Sequence, residues 1–351
     1  MSKFDKKTAI VLFNLGGPDK IESVRPFLFN LFNDKAIISL VQPFRFLLAK
    51  LISSKRTKTA SEIYQQIGGK SPLLEITTAQ AHELEKELSF FGNFKVFIAM
   101  RYWKPFANEA IKKIIEYNPN EIILLPLYPQ FSSATTASSI KDFKENFAKF
   151  NKKINIKTVC CYPTEEQFIR SHVILIKQTI DQLYDKNLTD FRFLFSAHGL
   201  PQKLINQGDP YVFQITQTVN KIVENFDKKI DFSICYQSKV GPLQWTSPSL
   251  EFEIKRVALD KKIPVIIPIA FVSEHSETLV ELDIEYKHLA KSLGIVDYLR
   301  VPALNVEGHF IKNLSQICRT ISKDKENKCF SGQEVMRICP KKFKFCPNDQ
   351  Y

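Results

Sequence analysis

Uninterrupted apolar runs alternate with amphipathic stretches along most of this chain. Aliphatic and β-branched residues dominate 8–15, 95–101, 121–127, 156–161, 191–197, 231–236, 264–272 and 296–301. Each run has the length of a strand and is too apolar for a strand with one wet face. Between them, 77–88, 109–117, 164–183 and 212–226 carry apolar residues at helical spacing with polar residues opposite. Apolar strands alternating with such helices predict an α/β fold with parallel sheets flanked by helices.

The order of elements repeats. One half opens with a strand into Gly16-Gly17-Pro18, the other with a strand into Gly199-Leu200-Pro201. Later, Leu-Pro-Leu-Tyr-Pro-Gln-Phe-Ser-Ser-Ala-Thr-Thr from Leu125 is echoed by Ile-Pro-Ile-Ala-Phe-Val-Ser-Glu-His-Ser-Glu-Thr from Ile267. The repeat predicts two similar Rossmann-like domains, 1–162 and 163–322, with a ligand cleft between them, and then a tail, 323–351. The interval from Pro18 to Pro126 is much longer than that from Pro201 to Pro268, so the first domain carries an insertion, about 27–75. This aromatic-rich segment is expected to form a lip beside the cleft or an extra packing helix.

Two strand ends carry the candidate chemistry. The run 193–198 delivers His198 to a carboxyl end, where Gly199 and Pro201 force a turn, and open α/β sheets keep their ligands at such ends. After the run at 264–272, acids fall at Glu277, Glu281 and Glu285. A spacing of four puts them on one face of an α-helix, where like charges repel unless the row meets cations, protons or water. By spacing alone the row also fits a solvated helix face, and His198 alone fits a turn residue. The two together at strand ends point to a site.

Composition narrows the class. With 44% hydrophobic and 25% charged residues the chain is globular rather than disordered. The formal charge of +12 permits attraction to anionic lipid or a polyanionic ligand. No finger spacing, aromatic RNA-binding signature or basic zipper helix is present, so a nucleic-acid partner is not expected. The start shows no secretory signal and no run is long enough to span a bilayer, so a cytoplasmic location is expected. Around 41–52, however, apolar residues including Phe44, Phe46 and Leu47 precede Lys55 and Arg56, a pattern suited to the inner face of a membrane.

Aromatics cluster near strand ends, among them Tyr102, Trp103, Tyr128, Phe131, Tyr236, Trp245 and Phe271. Together they suit a flat apolar ligand held between rings. Phosphate loops, a dinucleotide fingerprint, a serine elbow and a zinc-protease helix are all missing from the sequence.

In its ordered segments the chain resembles the ferrochelatases, the enzymes that insert ferrous iron into a porphyrin at the end of heme synthesis. The segments are Leu15-Gly-Gly-Pro-Asp19, Arg56-Thr57, Tyr64-Gln-Gln-Ile-Gly-Gly-Lys-Ser-Pro72, Arg101-Tyr102, Tyr128-Pro-Gln-Phe-Ser132, Ser196-Ala-His-Gly-Leu-Pro201, Gln237-Ser-Lys-Val-Gly-Pro242 with Trp245, and 271–286. The resemblance implies a monomer or homodimer with porphyrin in the cleft. It implies His198 and Glu277 as the catalytic, metal-holding pair, with Glu281 and Glu285 as an acidic channel. Leu15, Arg56, Tyr64, Arg101, Tyr102, Trp245, Phe271 and His275 are implied as porphyrin-binding. Leu15 replaces a Met found in some relatives, and Arg56, Lys55 and Arg101 are plausible partners for the propionates.

The chemistry agrees with this assignment. Insertion removes two pyrrole protons, which asks for a base titrating near neutrality over the ring. Ferrous iron, here a substrate, accepts imidazole and carboxylate, and few ligands let it leave for the porphyrin. Whether His198 is base or ligand stays open on sequence. The Gln-Ser-Lys-Val-Gly-Pro segment with Trp245 favours protoporphyrin IX. A coproporphyrin ferrochelatase, a cobalt or nickel tetrapyrrole chelatase, and a heme or porphyrin carrier without chemistry are the alternatives. Seven cysteines in a reducing compartment argue against a disulfide framework. Some ferrochelatases carry a 2Fe-2S cluster on a C-terminal extension. By that resemblance Cys329, Cys339 and Cys346, with Cys160 or Cys161, are candidate cluster ligands.

Overall fold

β1 (Lys7–Asn14) is buried at every position after its first residue, as a strand covered on both faces should be. It is an interior strand of a parallel sheet in a computed structural model that describes residues 6–183, 185–226 and 229–348. β2 (Asn93–Met100) and β3 (Glu121–Pro126) flank it, and β4 (Asn155–Cys161) pairs with β3. A second parallel sheet has β5 (Phe191–His198) between β6 (Phe232–Gln237) and β7 (Ile263–Pro268), with β8 (Leu299–Arg300) beyond β7. The orders β2-β1-β3-β4 and β6-β5-β7-β8 are the same arrangement twice, the topological form of the repeat read in the sequence.

The first sheet has a fifth strand that the apolar pattern did not reveal. β9 (Cys329–Ser331) comes from the tail and pairs in parallel with β4. It buries Phe330 to 1% exposure, so this part of the tail is an element of the first sheet. Two compact units result. The first unit comprises the chain up to Cys161 with Leu314–Ile338 and the described residues from Pro347, and the second Tyr162–Asn313 with Cys339–Cys346.

Helices α1 (Val24–Phe32), α2 (Phe44–Gln65), α3 (Leu73–Ser89), α4 (Ala107–Tyr117) and α5 (Thr136–Ala148) belong to the first unit. The second has α6 (Glu166–Ile180), α7 (Gln202–Asn206), α8 (Tyr211–Val223), α9 (Leu250–Leu259) and α10 (Lys287–Ser292); α11 (Gly308–Lys323) leads back to the first. Ala110, Ile111 and Ile114 of α4 pack with Val11, Phe13, Phe97 and Leu124 on one face of the first sheet. Ile254 and Val257 of α9 pack in the same manner with Leu194, Cys235 and Ile266 in the second. The insertion is helical: α1 and α2 share a satellite cluster of Val24, Phe27, Leu28, Phe32, Ala49 and Tyr64 with Tyr102.

One buried charge pair crosses the first sheet. Lys157 Nζ lies 2.9 Å from Glu121, both side chains no more than 3% exposed, and Glu121 also accepts from Thr8 Oγ1 at 3.0 Å and Ser322 Oγ at 2.7 Å. Such a pair is tolerable in a core because each remaining lone pair finds a donor.

Candidate active site

β5 carries His198 at its carboxyl end, as its sequence predicts. Gly199 follows because a side chain would not fit: a Cβ there would lie 3.0 Å from Trp245 Cε3 and 3.1 Å from the Gln237 carbonyl oxygen. That close approach lets the chain after β6 fold over the turn. Thr246 N–H donates to the Leu200 carbonyl at 2.9 Å and Leu200 N–H to Thr246 Oγ1 at 3.1 Å, which fixes the neighbouring Trp245. The Trp245 ring stands 6.3 Å from the His198 ring and Phe271 stands 6.5 Å from it, both edge-on. His275 packs against Phe271 at 4.7 Å.

The strand read as 264–272 ends at Pro268, and a loop then brings Glu277 to His198. His198 Nδ1 donates to Glu277 Oε2 at 2.9 Å, the two side chains being 35% and 30% exposed. A carboxylate can only accept, so this bond places a proton on Nδ1 and leaves Nε2 as the second ring nitrogen. Burial opposes charge on both groups, but each is outweighed by the other. Glu277 is held down to about 2 by the His198 charge and hydrogen bond, and His198 is raised above its ordinary value by Glu277 and Glu281. His275 behaves in the opposite sense, since burial lowers it more than the nearby carboxylates raise it. Its Nδ1 and the Trp245 Nε1 are buried without a hydrogen-bond partner, two polar atoms beside the pair that a ligand could satisfy.

The acidic row does not lie on an α-helix. Glu277–Tyr286 is a π-helix, with i→i+5 hydrogen bonds, so the helix type read from the spacing is corrected. Glu281 nonetheless stays in the site: Ser238 N–H donates to it at 2.9 Å and Gln237 Nε2 at 3.1 Å, with the Ser238 hydroxyl a further donor. Burial and the Glu277 charge raise its carboxyl above the usual range. Glu285 is exposed. Gln237, in the sequence one residue of the Gln-Ser-Lys-Val-Gly-Pro segment, also donates to the Glu277 carbonyl at 3.1 Å and accepts from Ser196 Oγ at 2.7 Å. Its burial at 2% exposure is a feature that no periodicity announces.

The other porphyrin-binding candidates lie in the first unit. Leu15 and Tyr64 belong to the insertion cluster, while Arg56 is exposed, with its guanidinium 5.7 Å from the Phe32 ring centre. Arg101 is engaged internally: it donates to Asp34 and to Ser138 Oγ, each at 2.8 Å, and Tyr102 OH donates to the same Asp34 oxygen at 2.8 Å. Asp34 was not singled out in the sequence, where it sits among polar loop residues. Cys160, Cys161 and Cys329 gather around Phe131, whereas Cys339 and Cys346 fall in the second unit. Among the described residues, no helix is long and apolar enough to cross a membrane.

A protein-family model described as Ferrochelatase matches residues 7–321. The ferrochelatase of Rickettsia typhi is 53% identical over 345 residues, covering 97% of this chain and 98% of its own. That of Pelagibacter ubique is 50% identical over 346 residues, with 97% and 98% covered. Among solved structures, SirB from Bacillus subtilis with Fe3+ has a similar fold, with a TM-score of 0.53 and 12% identity over 88% of this chain and 92% of that one.

Proposed function

The chain belongs to the ferrochelatase family, a metal chelatase that inserts ferrous iron into protoporphyrin to form heme, and from that premise we propose that His198 and Glu277 carry the insertion. The observation that supports this most is their 2.9 Å contact at the end of β5, walled by Trp245 and Phe271. Glu277 is ionised throughout the neutral range and is the anionic seat for the incoming cation. His198 Nε2, once neutral, takes one of the two pyrrole protons and the other passes to water. The flanking aromatic edges give the macrocycle an apolar wall, and binding energy gained there can be used to bend the ring so that its nitrogens face the metal. Glu281 and the exposed Glu285 extend the acidic path away from the pair.

His198→Ala is expected to abolish insertion while porphyrin still binds. Anaerobic incubation with ferrous iron and protoporphyrin, followed by loss of porphyrin fluorescence, tests this. Turnover like that of the wild type would overturn the assignment, and equal quenching in both proteins without heme formation would mean a carrier.

A 2Fe-2S cluster is a separate proposal, supported by the grouping of Cys160, Cys161 and Cys329. A cluster needs four thiolates, one more than gather there, and among the described residues no group of His, Cys, Asp or Glu side chains is placed to hold a metal ion. The Cys161 thiol and burial push Cys160 well above its ordinary value, against the pull of Cys329, so cluster assembly must displace a tightly held proton. No step of insertion runs through it. Iron and acid-labile sulfide in protein purified without air would support the cluster; their absence would end it.

A further inference from the structure

Three consecutive residues of the π-helix are tied to partners outside it. Glu281 is held by Gln237 and Ser238 at the end of β6. The Leu282 carbonyl accepts the Tyr298 hydroxyl at 2.7 Å. Asp283 takes two arms of the Arg300 guanidinium, Nε at 2.7 Å and Nη2. The remaining arm of Arg300 reaches Glu274, the residue before His275, and the same Glu274 oxygen accepts from Ala303 N–H at 2.9 Å. One guanidinium therefore joins the middle of the π-helix to the loop that presents His275 and leads into Glu277. A planar fork with fixed donors can do this where an ammonium cannot.

These ties matter because the helix is of an uncommon kind. π-helical bonding is rare and usually lasts a single turn inside an α-helix, whereas here it runs over ten residues. Its register decides which carboxylate follows Glu277 along the path. We propose that Tyr298 and Arg300 are positioning residues for metal insertion, holding the π-helix in the register that sets Glu281 beside the His198–Glu277 pair. Neither touches the pair; each acts through the main chain or side chain of the helix. The proposal rests on the reading of His198 and Glu277 as the metal-handling pair.

Tyr298→Phe removes one hydroxyl and keeps the ring, Arg300→Met removes the whole fork, and Arg300→Lys keeps only its charge. All three, with His198→Ala in parallel, are assayed with iron and porphyrin varied separately and with hydrogen exchange over the π-helix amides. The expected result is a KM for ferrous iron raised about tenfold in Arg300→Met, as for loss of a group that orients metal ligands. Arg300→Lys recovers part of that loss, porphyrin binding is unchanged, and exchange quickens over 281–286. Should Arg300→Met fail to fold, Tyr298→Phe shows the same pattern in weaker form. An unchanged KM for iron in Tyr298→Phe and the folded Arg300 variants overturns the proposal, as does a parallel loss of iron and porphyrin parameters that simply follows lost thermal stability. If these variants behave as wild type while His198→Ala is dead, only the positioning roles fall. If His198→Ala still turns over, the underlying reading falls with them.

Discussion

At the scale of single residues, the pair's electrostatics dictate how insertion depends on pH. A base must be neutral to accept a pyrrole proton, and His198 is held above its ordinary 6.5 because Glu277 and Glu281 outweigh its burial. Insertion should therefore rise with pH through a midpoint above 6.5. Glu277→Gln removes the principal attraction and leaves burial in place, so the His198 midpoint should move down. Nitrogen NMR of the imidazole follows this directly, and an unmoved midpoint would show that Glu277 does not set it. The same shifts contribute to folding. His198's share of stability is present below 6.5 and fades as pH climbs through its raised value. Glu277's share is present above 4.5 and fades as pH falls toward about 2. Much of this centre was legible in the sequence, because a His closing an apolar run before Gly-Leu-Pro has few places to go. Asp34, Gln237 and Arg300 were not, since a buried polar residue is recognised by partners distant in sequence.

At the scale of elements, apolar runs identified the central strands because parallel strands buried on both faces have no polar alternation to confuse the reading. They failed where an element was short or unusual. β9 has three residues set among Lys, Ser and Gly, below the length at which any period can be counted. The π-helix fails differently: Glu277, Glu281 and Glu285 have a spacing that an α-helix explains equally well, and its true bonding depends on the partners of Glu281, Leu282 and Asp283. The contribution of β9 is open to measurement. Phe330 is almost wholly buried, so Phe330→Ala should cost about 3–5 kcal/mol, read as an earlier thermal transition of the first unit. A loss within a few tenths of a kcal/mol of zero would mean that β9 adds nothing to that sheet.

At the scale of the whole molecule, a net charge of +12 and one apolar surface point the same way. Val41, Phe44, Leu47 and Leu51 are each more than half exposed at the start of α2, and Lys50, Lys55 and Arg56 lie exposed along the same helix. We propose that this segment of the insertion rests on an anionic membrane surface, where apolar groups enter the interface and cations face the headgroups. Replacing Phe44, Phe46 and Leu47 together by Ser should release the protein from anionic vesicles in a sedimentation assay while leaving insertion into a soluble porphyrin intact. Equal partitioning of the variant and the wild type would remove the membrane from the account.

β9 also has a consequence in time. The strand that closes the edge of β4 is translated only after nearly all of the second unit, whereas its partner is translated before that unit begins. At synthesis rates of roughly 5–20 residues per second, that interval lasts on the order of ten to thirty seconds. Throughout it the nascent first sheet carries an open edge able to pair with another chain. A transcript cut short before Cys329 leaves that edge open permanently, so truncated products should aggregate on release even though every residue of the His198–Glu277 centre has already been made.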